Sequence, residues 1–118
     1  MPHIVMEYSD PVSERVNVGQ LLEDLHKAAI GSGEFDSSDV KSRAYASHEW
    51  LIAESDNQQD FIHVTLWLLS GRDEKQKYNL SHALLDVMQV HAPEVASLSV
   101  DVRDMDRRWY AKVKQREE

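Results

Sequence analysis

Two stretches of the chain carry apolar side chains at helical spacing, and each lies between two runs of strand formers. In the first, "NVGQLLEDLHKAAIGSG", Val18, Leu21, Leu22, Leu25, Ala28 and Ala29 share one stripe. Asn17 and Gln20 form an N-terminal capping pair, and Gly31 supplies a C-terminal stop. The second runs from Asp73 to about His91, with Asp73 and Gln76 as capping pair and Leu80, Leu84, Val87 and Met88 as its stripe. Pro93 enforces its exit. An amphipathic helix must bury its stripe, and the flanking strands offer a sheet to bury it on. The order β-α-β, taken twice, predicts an α/β (α+β) fold: a four-stranded mixed sheet with both helices on one face.

The strand runs differ in character. Pro2 to Ser9 is a short run closed by the turn signal "SDP". "DVKSRAYASHEWLIAE" alternates, with Val40, Ala44, Ala46 and Trp50 on one face and Lys41, Arg43 and Tyr45 on the other. "ESDNQQD" reads as a hairpin loop after it. "FIHVTLWLL" is apolar on both faces for much of its length, which predicts a central strand. "VASLSVDVRD" sets Leu98, Val100 and Val102 against Ser97, Ser99 and Asp101. The charged tail "DMDRRWYAKVKQREE" reads as a solvated or frayed terminal helix, with packing on a neighbour as the alternative. No linker composition interrupts the chain, so one domain spans residues 1–118, with a core over 2–104 and the tail over 105–118. Helices on one side leave the other face of the sheet bare. "HVTLW" together with Val40, Ala44 and Trp50 predicts a face too apolar to stay wet, and hence self-association.

Composition removes several function classes. The absence of cysteine excludes disulfides, thiolate metal sites and a Cys nucleophile. A net charge of −8 argues against a nucleic-acid partner, yet a few cations gathered in one pocket can still hold a small anion. No signal-peptide pattern heads the chain, and the longest apolar run, "VTLWLL", is too short to span a bilayer. The expectation is a soluble, cytoplasmic protein without a membrane partner. None of the six histidines falls in a helical i, i+4 ligand pair, so no metal site is expected. "GSG" is a helix cap rather than a phosphate cradle.

Pro2 opens a more specific line. Proline donates no backbone hydrogen and is tolerated where a strand starts, which accounts for it structurally. It is also small enough to let the initiator methionine be removed, which exposes a secondary amine. An α-amino group has a reference pKa of about 7.7–8.0. Apolar surroundings and nearby cations lower it, leaving a neutral base at physiological pH that can shuttle protons. Arg72 stands where a strand ends and a capped helix begins, so its side chain and the helix's free amides are placed to meet one anion. Lys41 and Arg43 point to one face of the second strand.

"MPHIVMEYSD", "GSGEF", "VKSRAY" and "FIHVTLWLLSGR", in that order and spacing, resemble the 5-carboxymethyl-2-hydroxymuconate isomerase branch of the tautomerase superfamily. The resemblance runs from Met1 to about Val102 and needs no gaps through Arg72. It implies a tautomerase/MIF-like fold and a homotrimer whose sheets face the interior. It also implies keto–enol tautomerisation of a small unsaturated (di)carboxylate without cofactor or metal, as in aromatic compound catabolism. Carried over, Pro2 is the amino-terminal general base and Arg72 a substrate-carboxylate arginine. The family's other binding arginine falls at Lys41, where the charge is kept and the planar fork is lost. Arg43, on the same face, matches a further family arginine and joins the substrate-binding set. Two other readings fit the same residues. One is a related dehalogenase or hydratase working through the same amine; the other is a non-enzymatic, ferredoxin-like small-molecule sensor or assembly domain, since β-α-β-β-α-β order alone fits that fold too.

Overall fold

The computed structural model of the chain describes residues 1–54 and 59–116. Strand β1 (His3–Ser9) leads through a 3-10 turn into helix α1 (Val18–Gly31) and strand β2 (Lys41–Ser47). Strand β3 (Phe61–Leu69), helix α2 (Glu74–His91) and strand β4 (Ser97–Met105) repeat the order. The four strands form one sheet in the order β2-β1-β3-β4. β1 and β2 are parallel, β3 and β4 are parallel, and the two pairs meet antiparallel along β1 and β3. Both helices cover one face. Beneath them lie Ile4 and Met6 of β1, and Ile62, Val64, Leu66 and Leu68 of β3, with Leu21, Leu25, Leu80, Leu84 and Met88 of the helices. The expected architecture is the observed one.

In a ferredoxin-like sheet each β-α-β unit is split by an inserted strand. Here each unit is unsplit, its two strands bonded directly to one another. The ferredoxin-like alternative is thereby excluded.

Local signals set the helix ends. Asn17 Oδ1 accepts the Gln20 amide at 3.1 Å, although the Gln20 side chain turns to Asp24 instead of completing the pair. Asp73 and Gln76 form a full capping box, with bonds of 2.8 and 2.9 Å. Gly31 is not the stop. It is the last helical residue, and the left-handed turn falls on Gly33, at φ +78°.

Three other expectations need correction. β2 ends at Ser47 rather than running on past Trp50, because β1, its partner in the sheet, ends at Ser9 and turns away through Pro11. Trp50 lies outside the sheet, and its indole nitrogen donates to the Gln59 carbonyl. β2 and β3 do not form a hairpin, because β1 lies between them; residues 55–58 of the expected loop lie outside the described residues. The bare face is also built from residues other than those anticipated. Val40 and Ala44 pack toward the helices, Ala44 in register with Met6. The open face instead carries Val5, Tyr45, Phe61, Thr65, Trp67 and Leu69 among Glu7, Arg43, His63 and Asp101.

The tail is not a helix. Asp106 Oδ1 accepts the Arg108 amide, and the Asp106 carbonyl accepts the amides of Trp109 and Tyr110. This turn reverses the chain after β4 and lays residues 110–116 back across the beginning of the same chain. No helix among the described residues is long and apolar enough to cross a membrane.

Candidate active site

Two parallel strand pairs set antiparallel bring the starts of β1 and β2 and the ends of β3 and β4 to one edge. His3 is in register with both Lys41 and Trp67, and Leu69 with Met105. Pro2, Lys41, Arg72 and the tail therefore gather at that edge from four parts of the chain. The opposite edge is closed by a polar network: Ser9 Oγ donates to Asp60, which Arg15 also engages.

The Pro2 ring is fully buried, and its carbonyl accepts the Lys41 amide at 3.1 Å, so the chain start is held against β2. The terminal amine beside it, here that of Met1, is pushed below its ordinary pKa. Burial is the main cause; the neighbouring charge of Asp39 opposes it, and those of Arg72, Lys112 and Arg107 add to it. The Lys112 ammonium lies against the Met1 sulfur and 3.0 Å from Asp39 Oδ1.

Arg72 follows β3 and reaches the α1–β2 connection. Its Nη2 donates to the Glu34 carbonyl at 2.6 Å and its Nη1 to the Leu69 carbonyl at 3.2 Å. The guanidinium lies 4.7 Å from the Phe35 ring centroid, and Nε is 3.4 Å from Glu34 Oε1 without an aligned hydrogen bond. Asp73 Oδ1 accepts the Gln76 amide of α2 at 2.8 Å. Arg72 and the first turn of α2 meet at this corner, both bonded to Glu34. Arg72 thus braces the α1–β2 connection, and its charge acts on the amine at the chain start.

Lys41 and Arg43 lie on the same, open face of β2. Arg43 Nη1 donates to His3 Nδ1 at 3.2 Å, which leaves the proton on Nε2, directed to the Tyr110 hydroxyl at 3.4 Å. Burial lowers the His3 pKa, and Arg43 and Lys41 lower it further, so the ring is neutral at pH 7.

Sequence reading missed Asp39, Arg107, Tyr110 and Lys112. The alternation in "YAKVK" marks an extended rather than a helical run, and it sets Tyr110, Lys112 and Lys114 on one side. Among the described residues no group of three or more His, Asp and Glu side chains is placed to hold a metal ion.

A sequence model of the family "5-carboxymethyl-2-hydroxymuconate isomerase" matches residues 2–115. The 5-carboxymethyl-2-hydroxymuconate Delta-isomerase of Escherichia coli is 23% identical over 91 residues, covering 77% of this chain and 72% of that one. The crystal structure of a 5-carboxymethyl-2-hydroxymuconate isomerase from Deinococcus radiodurans R1 is similar with a TM-score of 0.87 at 25% identity, over 97% of this chain and 90% of that one. A protein described as a fused 4-OT wild type symmetric trimer shares the fold, with a TM-score of 0.71 at 12% identity over 92% and 91% of the two chains. The match covers the fold, the chain start and the tail alike: the chain belongs to the 5-carboxymethyl-2-hydroxymuconate isomerase family, and its role is that of an isomerase of the tautomerase kind.

Proposed function

We propose that the chain ketonises a small unsaturated dicarboxylate of the 2-hydroxymuconate type, with Pro2, freed of Met1, as general base. One observation carries this reading: the sheet edge unites the chain start with Arg72, Lys41 and Arg43, and the amine there is depressed by burial and cations. The neutral Pro2 nitrogen takes the proton of the 2-hydroxyl, and the electron pair moves through the conjugated carbons. The resulting ammonium returns that proton to a carbon further along, so nothing is gained or lost. Arg72 holds the carboxylate beside the reacting oxygen and stabilises the charge that grows on it. Lys41 and Arg43 make the opposite wall positive, Arg43 through its bond to the neutral His3. The reading is tested by incubating protein that begins at Pro2 with 2-hydroxymuconate in chelator. Loss of the dienol absorbance faster than the buffer rate is expected; a rate equal to buffer would overturn it.

The same reading has the chain assemble as a homotrimer. The symmetric trimer with the same fold supports this, as does an open face on which Val5, Thr65 and Trp67 are ringed by charges of both signs. A mixed face of this kind suits pairing between copies better than exposure. Sedimentation at micromolar concentration is expected to give the mass of three chains. A monomer there would contradict it.

A further inference from the structure

Cations converge where the tail crosses the lead-in to β2. Lys41, Lys112, Lys114 and Arg116 line a cleft of about 530 Å³ together with Ser37 and Ser38. Small-molecule sites occupy roughly 300–1,000 Å³. In a chain of net charge −8, four cations around one cleft run against the composition. Asp39 tethers the tail to this place, 3.0 Å from Lys112 Nζ and 4.0 Å from Lys114 Nζ, while the Lys114 ammonium donates to Ser38 Oγ at 3.1 Å. Asp36 also feels the charges of Lys112 and Lys114, so two carboxylates face four cations. The cleft adjoins the chain start, since the Lys41 amide is bonded to Pro2 and Lys112 touches Met1.

We propose that this cleft is the subsite for the distal carboxylate of the substrate, with the tail residue Lys112 as its principal contact. The proposal rests on the reading of the site given above. Arg72 follows β3 and Lys41 begins β2, with β1 between them. Two strand spacings separate β3 from β2 by about 10 Å. A linear six-carbon dicarboxylate with a charge-assisted bond of about 2.8 Å at each end bridges a gap of that order. Lysine at position 41 offers a point charge in place of a planar fork. Lys112 supplies the second point, so that two ammonium groups receive the two carboxylate oxygens. The tail is then part of the binding site, and a substrate with one carboxylate gains nothing from it.

The test compares 2-hydroxymuconate with the monocarboxylate 2-hydroxypenta-2,4-dienoate, using the parent, Lys112→Ala, Lys112→Gln and Lys112→Arg. A hydrogen bond to a charged group corresponds to roughly a tenfold effect or more. The preference for the dicarboxylate in kcat/KM is therefore expected to fall about tenfold in Lys112→Ala and Lys112→Gln, chiefly through KM, and to return in Lys112→Arg. Equal losses on both substrates, or an unchanged preference, would overturn the subsite. Calorimetric binding of adipate, which is saturated and does not react, gives a separate readout and is expected to weaken to the same extent in Lys112→Ala. Adipate binding that depends on Lys112 in a protein that ketonises neither dienol would leave the subsite standing and remove the isomerase reading. Ketonisation with a preference indifferent to Lys112 would do the reverse.

Discussion

Protein that keeps Met1 is expected to ketonise 2-hydroxymuconate about 10²- to 10⁴-fold more slowly than protein that begins at Pro2, the range that a positioned general base contributes. With Met1 in place the Pro2 nitrogen is an amide and has no basic electron pair. The free amine moves outward by one residue, about 3.8 Å, which takes it beyond hydrogen-bond reach of a group held at Pro2. The Met1 side chain also lies against Lys112 and so occupies ground beside the cationic cleft. The two forms differ by one residue and are told apart by intact mass, so rates assign cleanly to each. Equal rates would remove Pro2 from the chemistry while leaving the fold and the family untouched.

The second large effect belongs to Arg72→Ala. Loss of a preorganised donor to a developing oxyanion costs about 10²–10³ in kcat, and the same order is expected here. The substitution also removes the bonds to the Glu34 and Leu69 carbonyls and the contact with Phe35. Loss of these two half-buried, charge-assisted bonds predicts a decrease of about 1–3 kcal/mol in unfolding free energy. Denaturant unfolding and steady-state kinetics on the folded fraction separate the two roles. A stability loss with kcat/KM unchanged within a few-fold would make Arg72 a strut only.

What was legible in the sequence was what short-range chemistry decides. Asp73 and Gln76 announce a capping box three residues apart, and that box forms. The run "FIHVTLWLL", apolar on both faces, marks a central strand, and β3 lies between β1 and β4. Strand ends were less legible, because they depend on the partner: β2 stops at Ser47 only because β1 stops at Ser9. Alternation shows which residues share a face but not which face the helices take, and so Val40 and Ala44 were set on the wrong side. Pro2, Lys41, Arg43 and Arg72 were visible as candidates, since residue type and resemblance both point to them. Their surroundings were not. Lys112 is 71 positions from Lys41 and joins it only because Asp106 reverses the chain, a turn whose consequence no local pattern discloses. The engagement of Arg72 by Glu34 likewise spans two connections that sequence spacing does not relate.

The claim on which the rest depends is that the amine at the chain start works as a neutral base at physiological pH. With Met1 in place, the terminal amine is lowered chiefly by burial, opposed by Asp39 and aided by Arg72, Lys112 and Arg107, and the same surroundings are expected to act on the Pro2 amine. A base of this kind is active when deprotonated, so activity is lost as pH falls through its pKa and is full above it. The direct measurement is the ¹⁵N chemical shift of Pro2 in processed, proline-labelled protein, followed across pH. The nitrogen is predicted to titrate below the reference range of about 7.7–8.0, at the same pH as the acid limb of kcat/KM. Titration at or above that range, or an acid limb that does not follow the Pro2 nitrogen, would contradict the account.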